Sequence, residues 1–196
     1  MAATEQTSGA FVSEQEVPAS QKANVTTTST GKTSSTTTNT GTTDNFKAVV
    51  TGTSYGVTGG TFNNLQIGYG STPKQQVTIT GTDANNPVVT GNDESNDLNI
   101  GGSLPNGKSD IKTTVIGGQT SLADGDDSIK FTKALDKRSV QNLGKGADSI
   151  SFKSGRTVRS SFNMGEGADS VTFKGSTLKQ SKISLGIDNA ADVVNI

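Results

Sequence analysis

The sequence GKGADSISF at residues 144–152 returns as GEGADSVTF at residues 165–173, which begins 21 residues later. A looser copy, ADGDDSIKF, occupies residues 123–131, and a last copy, ADVVNI, occupies residues 191–196. Repeats of this length indicate a solenoid, in which each unit buries its apolar face only against its neighbours. We therefore predict an all-β fold, a parallel β-helix (β-solenoid) with coils of about 21 residues and an extended arm before it.

Each repeat predicts two strands joined by a short turn. The stretch from Asp148 to Phe152 alternates polar and apolar residues, as a half-buried strand does. A second strand precedes the turn and carries an apolar residue, such as Leu143, just before the first glycine. Stacking would place like residues above one another. The predicted solenoid core is Leu122, Ile129, Phe131, Leu143, Ile150, Phe152, Met164, Val171, Phe173, Leu185, Val194 and Ile196.

Composition narrows the function classes. Only 29% of residues are hydrophobic and 5% aromatic, which favours a thin core over a thick globular one. Cys and His are both absent, which excludes disulfides, thiolate metal sites and the commonest general base. The net charge of −1 gives no reason to expect nucleic acid or a membrane as a partner. We also expect no secretory signal and no membrane-spanning segment.

The chain divides into three zones. Residues 1–45 are predicted to form an extended Thr/Ser-rich arm, because 14 of the 18 residues from 26 to 43 are Thr or Ser. Such a segment has too little apolar surface to offset its ordering entropy alone, so a partner would hold it. Residues 46–110 form an irregular β region, and residues 111–196 the regular solenoid. The apolar residues that could anchor the arm to a partner are Phe11, Val12, Val17 and Val25.

The middle zone allows two interpretations. The sequence NLQIG at residues 64–68 resembles DLNIG at residues 97–101. Aligned on their first polar residue, the copies are separated by 33, 30, 21, 21 and 23 residues, in the series Asn64, Asp97, Asp127, Asp148, Asp169 and Asp192. One continuous solenoid with looped-out early coils would explain the series, and so would a separate small β-sandwich over residues 46–110.

The Gly-x-Gly-Ala-Asp turn resembles the Gly-Gly-x-Gly-x-Asp-x-apolar nonapeptide of calcium-binding RTX β-rolls. That resemblance implies calcium held by the turn, with Asp124, Asp127, Asp148 and Asp169 as the candidate ligands. Here, however, the motif occurs once per coil, and Leu143 or Met164 replaces the first glycine of the pair. The simpler prediction is structural, with no cofactor. The glycines permit positive φ, and the Asp accepts hydrogen bonds from backbone N–H groups.

Residues 120–196 also resemble the short repeats of virion structural proteins from marine cyanobacterial tailed phages, through the units GxGADS(I/V)xF. The resemblance implies a capsid decoration or knob-like protein that is not an enzyme. Such a protein would assemble in the host cytoplasm, reside in the virion, and contact capsid or other virion proteins. The implied protein would form a homo-oligomer, and a host surface glycan is a further partner that this interpretation allows.

Two other function classes remain open. One is a secreted RTX-like, calcium-stabilised surface or adhesion module. The other is a polysaccharide-active β-helix enzyme, which is disfavoured because the chain has 2 Tyr and no Trp with which to line a sugar groove.

Overall fold

A computed structural model describes residues 12–16, 25–30, 33–101 and 113–196. All of its regular elements are strands. The described chain contains parallel strands stacked in about seven turns of about 21 residues, which confirms the predicted β-solenoid. Phe11 and Val17, two of the four predicted arm anchors, lie outside the described residues.

Each full coil contributes to three faces, which we number in the order in which the chain visits them. Two N-terminal strands precede the coils, β1 (Val12–Glu16) and β2 (Val25–Thr30). The first face then contains β3 (Ser34–Asn39), β6 (Ser54–Thr58), β9 (Gln75–Thr80), β12 (Asn96–Gly101), β15 (Ser128–Thr132), the beginnings of β18 (Ser149–Val158) and β20 (Ser170–Lys179), and β22 (Val193–Asn195).

The second and third faces complete each coil. The second face contains β4 (Thr42–Asp44), β7 (Thr61–Asn63), β10 (Asp83–Asn85), β13 (Thr113–Ile116), β16 (Ala134–Lys137) and the ends of β18 and β20. The third face contains β5 (Lys47–Val50), β8 (Gln66–Tyr69), β11 (Val88–Thr90), β14 (Gln119–Ser121), β17 (Val140–Lys145), β19 (Ser161–Glu166) and β21 (Lys182–Ser184).

The strand register makes ladders of equivalent residues. Ile129 pairs with Ile150 and Ile150 with Val171, while Phe131 pairs with Phe152 and Phe152 with Phe173. Most of the predicted core is confirmed by its burial. The residues that are at most 4% exposed are Leu122, Ile129, Phe131, Leu143, Ile150, Phe152, Met164 and Val171.

The C-terminal end of the predicted core differs from the prediction. Val194 is 49% exposed and Ile196 is 102% exposed, whereas Phe173 and Leu185 are partly buried. The reason is that β22 pairs with β20 on one side only, so no further strand covers its inward side chains. Val194 continues the Ile129–Ile150–Val171 ladder in register but not in burial.

The middle zone belongs to the same stack. Strands β6, β9 and β12 pair in parallel with one another and then with β15. The pairing places Asn96 opposite Gln75, 21 residues earlier, and one residue before Asp97. Asn64 lies instead in the turn between the second and third faces. Asn96, rather than Asp97, is therefore the residue equivalent to Asp127, and Asn64 does not belong to the series. The β-sandwich alternative is wrong, because these strands continue the solenoid.

The predicted arm is shorter than residues 1–45, because residues 34–44 form the first two strands of the first coil. The buried side chains of these two strands include three that carry a hydroxyl group and are at most 3% exposed, Ser35, Thr37 and Thr43. The Thr37 hydroxyl lies 2.7 Å from the Tyr55 hydroxyl. Threonine suits a pleated strand, and a hydrogen-bonded hydroxyl such as that of Thr37 can be buried at modest cost, whereas the buried Ser35 and Thr43 hydroxyls have no hydrogen-bond partner. A Thr-rich segment can thus form a coil.

Strands β1 and β2 pair antiparallel with the first coil, β1 with β5 and β2 with β3. They cover strand edges that would otherwise expose unpaired backbone groups. Val25, at the start of β2, packs against the core from a partly buried position, and Val12 begins β1. Two of the predicted anchors therefore belong to strands that pair with the chain's own first coil.

Candidate functional site: a column of buried carboxylates

The Gly-x-Gly-Ala-Asp turn joins the third face of one coil to the first face of the next, and its Asp residues form a column. The Asp148 Oδ1 accepts a hydrogen bond of 2.8 Å from the backbone N–H of Asp127, and the Asp169 Oδ1 accepts one of 3.0 Å from that of Asp148. Asp192 continues the pattern with a 3.0 Å bond from Asp169. Each carboxylate therefore links two coils, rather than capping its own turn.

The second oxygen of each inner carboxylate has no partner. Asp127 and Asp148 are 1% exposed and Asp169 is 0% exposed. Their Oδ2 atoms are buried and accept no hydrogen bond. A buried, unpaired acceptor on an ionised group is costly, whereas a protonated carboxyl could donate to a nearby carbonyl. The column therefore favours neutral carboxyl groups.

The pKa values follow from this environment. Burial raises the pKa of Asp127 to about 7. Hydrogen bonds from Asn96 lower this pKa, and the negative charge of Asp148 raises it further. Burial likewise raises the pKa of Asp148 to about 6, against the hydrogen bond from Asp127 N–H. The pKa of Asp169 is also raised, again chiefly by burial. Asp127 and Asp148 therefore titrate closer to neutral pH than an ordinary Asp does, and the pKa of Asp169 in the same column is shifted in the same direction.

Asn96 shows how the same position is filled without a charge. Its backbone N–H donates to Asp127 Oδ1 at 2.7 Å, as the Asp residues do in later coils. Its Nδ2 donates to the carbonyl oxygens of Asn92, at 3.1 Å, and of Glu94. A neutral amide therefore fills this position with its nitrogen hydrogen-bonded, and its buried Oδ1, which has no partner, carries no formal charge.

The calcium candidates are only partly brought together. Asp127, Asp148 and Asp169 occupy the column, whereas Asp124 lies three residues before it in the turn, in a backbone bridge to Lys145. Across the described ranges, no group of three or more Asp, Glu, His or Cys side chains is placed to hold a metal ion. The column offers one free carboxylate oxygen per coil, while calcium takes 6–8 oxygen ligands.

Sequence reasoning missed a second buried carboxylate, Asp136, in β16. Asp136 is 0% exposed and accepts hydrogen bonds from the Ser139 hydroxyl at 2.5 Å and the Ser160 hydroxyl at 2.6 Å. Burial raises its pKa. The strand register gives the signal, because Asp136 pairs with Val115 and Thr157 at inward positions. With both oxygens bonded, this group stabilises two adjacent coils.

The third face carries a shallow groove of about 370 Å³. None of the residues that line it is ionisable. The lining consists of Val88, Val89, Thr90, Gln119, Thr120, Ser121, Val140 and Asn142. Acid–base or nucleophilic chemistry needs a titratable group within hydrogen-bond reach of a substrate. The groove lining does not supply such a group.

The column predicts an unusual pH dependence of stability. The folded-state pKa of Asp127, about 7, lies above the unfolded value of about 3.9. The folded chain thus binds more protons between these pH values, and the free energy of unfolding falls as pH rises through them. We expect a higher melting temperature at pH 5 than at pH 8. Asp127→Asn, which copies Asn96, should stabilise the chain at pH 8 by about 1–3 kcal/mol and flatten the profile.

The matched control is Asp83→Asn, which removes an exposed carboxylate from β10 on the second face. Thermal melts by circular dichroism between pH 4.5 and 8.5 would compare the three proteins. Parallel profiles for the wild type and Asp127→Asn would contradict the assignment of the pH dependence to the column.

Comparisons with known proteins do not assign the chain to a family. No family model, curated protein or solved structure matches it. Among the described residues, no helix is long and apolar enough to cross a membrane.

Proposed function

We propose that this chain is a structural component of a virion, a capsid decoration or knob-like protein attached through its N-terminal segment. One observation carries the proposal: residues 33–101 and 113–196 form a single stack of in-register coils. Seven coils at about 4.8 Å each make a rod of roughly 30 Å. The repeats' resemblance to virion structural proteins supports the same function.

The chain before the first coil is the attachment segment in this proposal. Strands β1 and β2 are paired with the solenoid and tie the segment to it at two faces. Extended, Thr-rich strands recognise partners by adding to an exposed sheet edge, where main-chain hydrogen bonds provide the affinity. A capsid subunit with such an edge is the partner that this chemistry fits.

Removing the attachment segment tests the proposal. A chain lacking residues 1–32 should remain folded but fail to co-purify with its native particle, because the coils start at residues 33 and 34. A chain lacking only residues 1–11 keeps β1 and β2. Comparing the two deletions distinguishes a loss of attachment from the effect of exposing the strand edges that β1 and β2 cover. Co-sedimentation and circular dichroism would measure attachment and folding. Normal attachment of the folded 1–32 deletion would overturn the proposal.

The RTX-like surface module is a second candidate, favoured by the unpartnered Oδ2 atoms of the carboxylate column. Calcium binding to the folded chain would raise its melting temperature by an amount that grows with the logarithm of the calcium concentration relative to its Kd. A rise of several degrees at millimolar calcium, absent with magnesium, would support this candidate. A shift below about one degree would exclude useful calcium stabilisation.

A further inference from the structure

The last three coils separate their charges around the solenoid. Residues 129–143, 150–164 and 171–185, which run from the first face to the third, contain ten Lys and Arg residues. Their only acidic residue is Asp136, which is buried. The carboxylates lie instead in the turns that separate the third face from the first, at residues 123–127, 144–148, 165–169 and 186–192.

Most of the basic side chains lie on the second face and its two flanking turns, a surface that we call the basic face. The basic face consists of Lys133, Lys137, Arg138, Lys153, Arg156, Arg159, Lys174 and Lys179. All are exposed except the half-buried Lys137. Arg138 and Arg159 occupy equivalent turn positions, at φ values of 55° and 56°, and both are exposed; the Arg159 Nε–H donates to the Gln180 Oε1 at 3.0 Å.

Strand register aligns these charges along the solenoid axis. Lys153 pairs directly with Lys174, and Lys137 and Lys179 lie on either side of Val158. Neighbouring coils are about 4.8 Å apart, so Lys137 and Lys179 are about 9.6 Å apart along the axis. Like charges on paired strands are unfavourable, and this repulsion is relieved when an anion lies across them.

We propose that the basic face binds a linear anionic polysaccharide, one that carries sulfate or carboxylate groups. An extended chain laid along the axis would meet a basic side chain at every coil. The separation of Lys137 and Lys179 is close to the length of a disaccharide, the usual repeat of such polymers. Lys and Arg are suited to both anions, and Arg can bind them through two hydrogen bonds.

The structure favours a polysaccharide over nucleic acid. Proteins read duplex DNA with a helix or a two-stranded ribbon that enters a groove, whereas the second face is part of a many-stranded parallel sheet. Single strands are bound by stacking bases on aromatic side chains. The aromatic residues of the described chain lie in the core or pack against it: Phe46, Tyr55, Phe62, Tyr69, Phe131, Phe152, Phe162 and Phe173.

Binding of the full chain to dextran sulfate and to alginate, with neutral dextran as the negative probe, tests the proposal. The variant Lys153→Gln/Arg156→Gln/Arg159→Gln removes the basic residues of one coil. We expect about tenfold to hundredfold weaker binding to the anionic probes at low salt, with a shallower salt dependence. Isothermal titration at several salt concentrations would measure both, and a thermal melt would check folding.

The matched control is Lys74→Gln/Lys130→Gln/Lys145→Gln, which changes net charge by the same amount outside the basic face. It should leave binding to dextran sulfate within about twofold of the wild type. Equal losses for the two triple variants, or no binding of either anionic probe, would overturn the proposal. Tighter binding to a 20-nucleotide DNA, single-stranded or duplex, than to either polysaccharide would overturn it in favour of nucleic acid.

Discussion

Gly144→Ala should cause one of the largest losses of stability that a single methyl group can produce in this chain. Gly144 has a φ of +115°, a conformation that side chains with a Cβ rarely adopt. A Cβ built there would lie 1.4 Å from the carbonyl oxygen of Ala123 in the preceding coil. Because the obstacle is backbone in a paired stack, the two coils would have to separate locally. We expect a loss of about 3–5 kcal/mol.

A matched glycine provides the control. Gly68 lies in β8 on the third face, and a Cβ there would meet only the Val49 Cγ2, at an ordinary 3.8 Å. Gly68→Ala should be neutral or stabilising by up to about 1 kcal/mol, because alanine restricts the unfolded chain. Thermal and denaturant unfolding of both variants would give the comparison. Similar stabilities for Gly144→Ala and Gly68→Ala would mean that the turn does not pack against the previous coil as described.

The same turn explains why the last coils could be predicted from the sequence. Glycine is required where consecutive turns stack backbone on backbone, so the GxGADS motif recurs at the coil length. Its flanking strands bury Ile, Val, Phe, Leu and Met, which alternate visibly with polar residues. In this region the requirement for glycine and the hydrophobic pattern repeat with the same period.

The first coils could not be predicted in this way, because other residues satisfy the same geometry. Thr37 and Thr43 are buried in the first coil, and a hydrophobic pattern counts them as polar. The turn before the third face uses Asn45, Asn64 and Asn86 at positive φ. In the sequence, Asn64 looks equivalent to the Asp residues of the carboxylate column, but it lies in a different turn of the coil.

The carboxylate column was only half predictable. An Asp after a glycine-rich turn is a standard acceptor for backbone N–H groups, and the Asp residues do accept such bonds. The donors, however, belong to the preceding coil, and only the stacking shows that Oδ2 is left buried without a partner. Burial of this kind depends on the neighbouring coils, which a local motif does not encode.

Phe152→Ala should destabilise the chain by about 3–5 kcal/mol, because it empties the centre of an aromatic stack. The Phe152 ring is stacked between Phe131, at a centroid distance of 5.1 Å, and Phe173, at 5.2 Å. Phe162 meets it edge-on at 5.2 Å from the third face. The substitution therefore removes three aromatic contacts in addition to buried area, and each such contact contributes about 0.5–1.5 kcal/mol beyond burial.

Phe173→Ala is the comparison that tests this account of the stack. Phe173 has the same pairing register but is only partly buried, with Phe152 as its stacked neighbour. Its removal leaves an open surface where Phe152→Ala leaves a closed cavity, so we expect it to cost less than half as much. Chemical denaturation of the two variants would measure the difference. If Phe173→Ala lost as much stability as Phe152→Ala, or more, the stacking of Phe152 between Phe131 and Phe173 would not be what stabilises this part of the solenoid.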